Sequence, residues 1–168
     1  MAVFEIALQR TLRNEGGQTI DQGGLTKYGI SQKAFPNLDI KSLTPEAAGE
    51  IYHRHYWIPI RGARIVEQEL ADTLFDFAVN AGVSQAVRTL QKLMNRLSIE
   101  KVTVDGVMGP QTLQKLNDWG FWLVHDFNVE RQRYYERLGA KPKWRKSLKG
   151  WLNRIFRYIK TSKEVHHE

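Results

Sequence analysis

The chain has 168 residues, a formal net charge of +7, 42% hydrophobic and 26% charged residues, and no cysteine. It is apolar enough to bury a core and too apolar to stay disordered, and it can form no disulfide, thiolate metal site or cysteine nucleophile. A pI of about 9.7 favours polyanionic partners such as nucleic acid, anionic membrane or an acidic cell-wall polymer, without choosing among them.

Residues 2–14 predict an amphipathic helix, with Phe4, Leu8 and Leu12 at helical spacing and Ala7 and Thr11 beside them. Glu15 continues that face three residues after Leu12, and Gly16-Gly17 breaks the helix. A carboxylate is therefore expected at the end of an apolar helix face, on the core side. Glu5, Arg10 and Arg13 interrupt this segment, so it does not read as a signal peptide. No apolar run approaches the roughly 20 residues of a membrane span.

Residues 16–30, with five glycines, read as loop or a small β-hairpin. Thr44-Pro45 is a cap followed by proline at the first helical position, opening a helix with Ala47, Ala48, Ile51, Tyr52 and His55 on one face. A second helix, Glu67 to Ala81, points Leu70, Leu74, Phe77, Ala78 and Ala81 inward and stops at Gly82. A third begins near Ser84 and buries Val87, Leu90, Leu93, Met94 and Leu97. The turn Val104-Asp105-Gly106 precedes a short helix opened by Pro110, and a longer helix covers roughly Trp119 to Leu138. The basic stretch Gly139 to Lys149 reads as a connection before a last helix, Gly150 to Lys160. The expected architecture is mainly α, with at most a small β element near residues 17–30.

The chemistry concentrates around Glu15. Glycosidic cleavage needs a proton on the leaving oxygen, and a carboxylic acid supplies it near neutral pH only if apolar surroundings raise its pKa. Glu15 is placed for that, and the glycines after it leave room for a polymer. An inverting reaction needs a second group to activate water, with the carboxyls about 6.5–9.5 Å apart. Asp21 is the nearest candidate, Thr26 can hold the water, and Tyr28 can stack on or hydrogen-bond to a sugar. A Glu before Gly-Gly and an Asp before Gln-Gly-Gly are also ordinary helix-end and turn residues, so spacing alone leaves both readings open. Asp76 and Asn80, four apart on one helix, either line a cleft or sit at the surface, and Asn80 near the helix end also suits a cap.

His53 and His55 diverge on a helix, and His166 and His167 lie in the tail. With no H-E-x-x-H pattern, P-loop or dinucleotide fingerprint, neither metal nor cofactor is expected.

Together, Glu15-Gly16-Gly17, the Gly23-to-Ile30 segment with Thr26-Lys27-Tyr28-Gly29, Ile51-Tyr52 with Tyr56-Trp57, Phe75-Asp76-Phe77-Ala78-Val79-Asn80-Ala81-Gly82, Val104-Asp105-Gly106 with Gly109-Pro110, and Gly150-Trp151-Leu152-Asn153-Arg154 resemble glycoside hydrolase family 108, N-acetylmuramidases also described as secretion activator proteins. The resemblance implies a lysozyme-like fold and cleavage of the β-1,4 bond between N-acetylmuramic acid and N-acetylglucosamine, with Glu15 as proton donor. It implies a catalytic part over residues 1–81 and a peptidoglycan-binding helical part over 82–160, packed as one unit of 1–168. Between the Glu-Gly-Gly and Thr-x-Tyr-Gly motifs the chain is shorter than the family pattern, Gln18 to Gln22.

Three other outcomes stay open at this level: a lytic transglycosylase giving 1,6-anhydro products, a non-catalytic wall-binding or secretion-accessory protein, and a nucleic-acid binder. Against the last, the basic residues are scattered up to Lys141 and no reading helix stands out. The expected partner is peptidoglycan, bound by a monomer made in the cytoplasm and released to the wall with a holin.

Overall fold

The computed structural model describes the backbone of residues 1–12, 19–21 and 24–164, and the side chains of residues 1–12 and 26–156. Helix α1 spans Phe4–Leu12. A small sheet follows, with β1 Thr19–Asp21, β2 Gly24–Lys27 and β3 Ile30–Ser31. The remaining helices are α2 Pro45–Tyr52, α3 Gln68–Ala81, α4 Val83–Leu97, α5 Pro110–Trp119, α6 Trp122–Gly139 and α7 Leu148–Glu164. The fold is mainly α, as expected.

The β element is a three-stranded antiparallel meander in the order β1-β2-β3. Its second turn is the two-residue loop Tyr28-Gly29 between the paired residues Lys27 and Ile30. Both loop residues have positive φ, 52° and 76°, as a type I′ hairpin turn requires, and that turn matches the twist of the strands it joins. Local turn chemistry thus adds a third strand to the expected hairpin.

Thr44 caps α2 by accepting from the Ala47 backbone N–H at 3.2 Å, with Pro45 at the first helical position. The helix then loosens into a π-helical turn over His53–Trp57, closed by Ile58 N–H to the His53 carbonyl at 2.9 Å. The wider turn rotates the inward face past His55, which is exposed, and brings Trp57 into the core. His55 was expected inward from a uniform 3.6-residue period. Trp57 in turn requires Gly62, since a Cβ there would sit 2.3 Å from the indole.

Helix α3 is the axis of the molecule. Leu70 to Ala78 are all buried, nine residues in succession, and α1, α4 and α6 pack around it. A helix buried on every side is central to its fold, whereas the sequence pattern suggested a single inward face. It ends at Gly82, φ +91°. On α4, Val87, Leu90, Leu93 and Met94 are buried as expected, but Leu97, at the last turn, is 40% exposed.

Two carboxylates on α3 are fully buried, and each holds a different part of the chain. Asp72 pairs with Arg10 of α1 and accepts from Gln68 Nε2 at 2.6 Å. Gln68 Oε1 accepts from the Val3 N–H at 2.6 Å, and its Nε2 donates to the Val3 carbonyl at 3.1 Å. Helix α1 is thereby fastened to α3 near both ends. Burial pushes the Asp72 carboxyl up to about 6, outweighing the opposing pull of Gln68 and Arg10.

Asp76 pairs with Arg131 of α6 and accepts from Arg154 Nε of α7 at 2.7 Å. Arg131 also donates to Asn128 Oδ1 at 3.0 Å and lies over the Phe77 ring, 5.4 Å from its centroid. Phe77 packs edge-on against Phe127, Tyr134 and Tyr135. The Val104-Asp105-Gly106 turn is tied to α4 by buried Gln91, whose Nε2 donates to Asp105 Oδ1 at 2.8 Å and whose Oε1 accepts from Gly106 N–H at 2.9 Å. Gly106, φ +79°, lies where a Cβ would be 2.4 Å from Ser84 Oγ, so this motif is a structural junction.

Between the ordinary carboxyl value of 3.8 and about 6, the folded chain holds the Asp72 proton more tightly than the unfolded chain. This group's contribution to stability is therefore full below pH 4 and falls as pH rises through 6. The loss by pH 7 is about 3 kcal/mol, taking about 1.4 kcal/mol per pK unit. In urea unfolding, the stability difference between wild type and Asp72→Asn should shift by that amount between pH 4 and pH 7. A pH-independent difference would refute the assignment. Asp76→Ala leaves two cations buried without their carboxylate and should cost about 3–5 kcal/mol. Because α3, α6 and α7 share that centre, the wild-type chain should melt in one calorimetric transition, and two resolved transitions would contradict the coupling.

Candidate active site

The site is built where the sheet meets α2 and the α3–α4 corner. Tyr52, 1% exposed, donates from its hydroxyl to the Tyr28 carbonyl at 2.9 Å and so ties the β2–β3 turn to α2. Lys27 donates to the Lys41 carbonyl at 2.9 Å, and its ammonium lies 5.6 Å from the Tyr28 ring centroid. Ile30 of β3 sits in the core. The sheet is thus fixed from one side by a hydroxyl, an ammonium and an aliphatic side chain.

Thr26 occupies the middle of β2, opposite Thr19 on β1 and Ser31 on β3. Its Oγ1 is buried and has no hydrogen-bond partner among the described residues. Asp21 closes β1, its backbone opposite Gly24. It stands two positions from Thr19, so Asp21 and Thr26 hold positions of the same parity in the sheet. Glu15 and the Asp21 side chain lie outside the described residues. Glu15 follows α1 by three residues, and α1 is the helix fastened to α3 through Arg10, Asp72 and Gln68.

Beside the sheet runs a groove of about 660 Å³ lined by Phe35, Pro36, Leu38, His55, Tyr56 and Val83. One wall is the loop after β3. Gln32 Nε2 shapes it by donating to the carbonyls of Phe35, Pro36 and Leu38 at 3.2, 3.0 and 2.9 Å. His55 meets Phe35 edge-on with centroids 5.2 Å apart. The other wall is the α3–α4 corner at Val83. The volume suits a small-ligand or oligomer cleft, and its mostly apolar lining suits flat ring faces.

Of the residues singled out from sequence, the structure places Thr26 on β2 and Tyr28 in the turn that follows it, and leaves Asn80 exposed near the end of α3, outside the groove lining. Asp76 is different. It was expected on a cleft wall or at the surface, and its side chain is fully buried, turned to Arg131 and Arg154. Asn80 bonds through Nδ2 to the Asp76 backbone carbonyl at 2.8 Å, not to its carboxylate. The correction has a physical cause: two arginines from distant helices neutralise Asp76 in the core. Asp72, Gln68, Arg10 and Gln91 were not singled out at all. Carboxylates four apart in a strongly apolar helix were the available signal that buried cations must face them.

No group of three or more His, Asp or Glu with metal-binding geometry occurs among the described residues.

Residues 8–82 match the model of the Glycosyl hydrolase 108 family, and residues 85–156 match that of a Predicted Peptidoglycan domain. A solved structure described as that of Brucella abortus SagA is similar to the chain at a TM-score of 0.76 and 25% identity, covering 98% of this chain and 96% of that one. No curated protein sequence matches at a significant level. The two matched segments lie end to end across the fold just described, with Thr26, Tyr28 and most of the groove inside the first. Residues 8–82 thus match a glycosyl hydrolase 108 region and residues 85–156 a peptidoglycan domain, and together these support a peptidoglycan hydrolase.

Proposed function

We propose that this peptidoglycan hydrolase is a muramidase, cleaving the β-1,4 bond between N-acetylmuramic acid and N-acetylglucosamine with inversion. In this reading Glu15 protonates the leaving oxygen, Asp21 removes a proton from the attacking water, and Thr26 holds that water. The observation that carries it is the state of Thr26: a buried hydroxyl with no partner among the described residues, on the sheet position diagonal to Asp21. Diagonal positions of an antiparallel pair are about 7–8 Å apart, which leaves room for one water between a carboxylate and a hydroxyl. An unpaired buried hydroxyl is unfavourable, and a substrate water satisfies it.

Tyr28 and Asn80 serve in this reading as sugar contacts, and Phe35 and Tyr56, which line the groove, offer ring faces to the glycan. The fastening of α1 supports the acid role of Glu15, because a proton donor must be held within hydrogen-bond reach of the leaving oxygen.

Glu15→Gln keeps the shape of the side chain and removes the transferable proton. Release of soluble muropeptides from purified peptidoglycan should fall by about 10²–10⁴-fold with the thermal melt unchanged, and near-wild-type release would sink the assignment. Asp21→Asn should cost a similar factor. Mass spectrometry of the wild-type products should show reducing muramic acid ends. A full rate for Asp21→Asn together with 1,6-anhydro ends would replace this mechanism with transglycosylation, in which the sugar's own hydroxyl attacks.

A further inference from the structure

The end of the molecule opposite in composition to the groove lies between α6 and α7. From Gly139 to Lys149 the chain carries Lys141, Lys143, Arg145, Lys146 and Lys149 and no acidic residue. A 3-10 turn, Pro142–Ser147, displays most of them, and residues 141–146 are all exposed. At its centre stands Trp144, 36% exposed.

Trp144 is not a loose surface ring. It tilts against Trp151 with centroids 6.0 Å apart. Trp151 stacks on Tyr135 at 5.1 Å and 26°, and Tyr135 is buried in the core. The Lys143 ammonium lies 4.9 Å from the Trp144 centroid. The turn therefore presents a tryptophan backed by two rings and ringed by cations, already ordered before any partner arrives, so little entropy is lost on binding.

We propose that this basic, tryptophan-tipped turn docks the enzyme on an anionic phospholipid surface. Clustered Lys and Arg are drawn to the negative headgroup layer, each multiplying partitioning about fivefold, and tryptophan prefers the headgroup boundary, where its apolar body and N–H are both accommodated. A single-stranded nucleic acid would need an open indole face for base stacking, and this ring is already faced by Lys143 and Trp151. Among the described residues no helix is long and apolar enough to cross a membrane, so the association is peripheral. The turn shares no residue with the groove.

The test is co-sedimentation of the full chain with phosphatidylcholine vesicles and with vesicles containing phosphatidylglycerol, at low and high salt. Binding is expected only with phosphatidylglycerol, with a blue shift of tryptophan emission, and is expected to weaken at high salt. Combining Lys143→Gln, Arg145→Gln and Lys146→Gln, all at exposed positions, should weaken partitioning on the order of a hundredfold with an unchanged melt. Trp144→Ala should reduce the blue shift, whereas Trp122→Ala, at an indole 81% exposed on the opposite end of α6, should not. Equal binding to phosphatidylcholine, full binding by the triple variant, or loss in Trp122→Ala alone would overturn the proposal. Tighter retention on duplex DNA than on the anionic vesicles at the same salt would overturn it in favour of nucleic acid.

Discussion

A carboxylate between two guanidinium groups, sealed from water, constrains everything around it. Asp76 sits on the central helix α3, and Arg131 and Arg154 approach it from α6 and α7. Each of these charges costs several kcal/mol to bury alone. The arrangement is tolerable only when all three helices close together, with Asn128 and the Phe77 ring taking up further interactions of Arg131. Asp76 belongs to the segment that matches the hydrolase family and both arginines to the segment that matches the peptidoglycan domain. The second half is thus part of the enzyme's core and not a module hung from a linker.

The same helix serves the catalytic side through a second buried carboxylate. Asp72 and Gln68 hold α1 by its last turn and by the backbone of Val3. The segment containing Glu15 leaves from the end of a helix that is itself fixed, and it enters a sheet fixed by Tyr52 and Lys27. The groove at the α3–α4 corner completes the arrangement, since its far wall begins where α3 ends at Gly82.

Charge is distributed unevenly over this frame. Asp72 and Asp76 lie inside, while five cations with no acidic residue among them are turned outward from the end of α6 to the start of α7. A net positive surface raises encounter rates with an anionic wall at long range. A local cluster beside a fixed tryptophan does something more selective, because it combines charge with a preference for an apolar boundary.

Much was legible before folding was considered. The Thr44-Pro45 cap, the stop at Gly82, the Asp105-Gly106 turn and the helices between them depend on residues a few positions apart, so periodicity and capping chemistry sufficed. The ordered motifs from Glu15 to Arg154 were likewise sufficient to point to the family. Other features were decided only in three dimensions. The π-helical turn that moved His55 outward followed from fitting Trp57 against Gly62, and the burial of Asp72 and Asp76 followed from cations 62, 55 and 78 residues away. Helix boundaries and turns are local free-energy choices and can be read along the chain. Which charge is buried, and which cation meets it, is settled only when distant segments exclude water from the same volume.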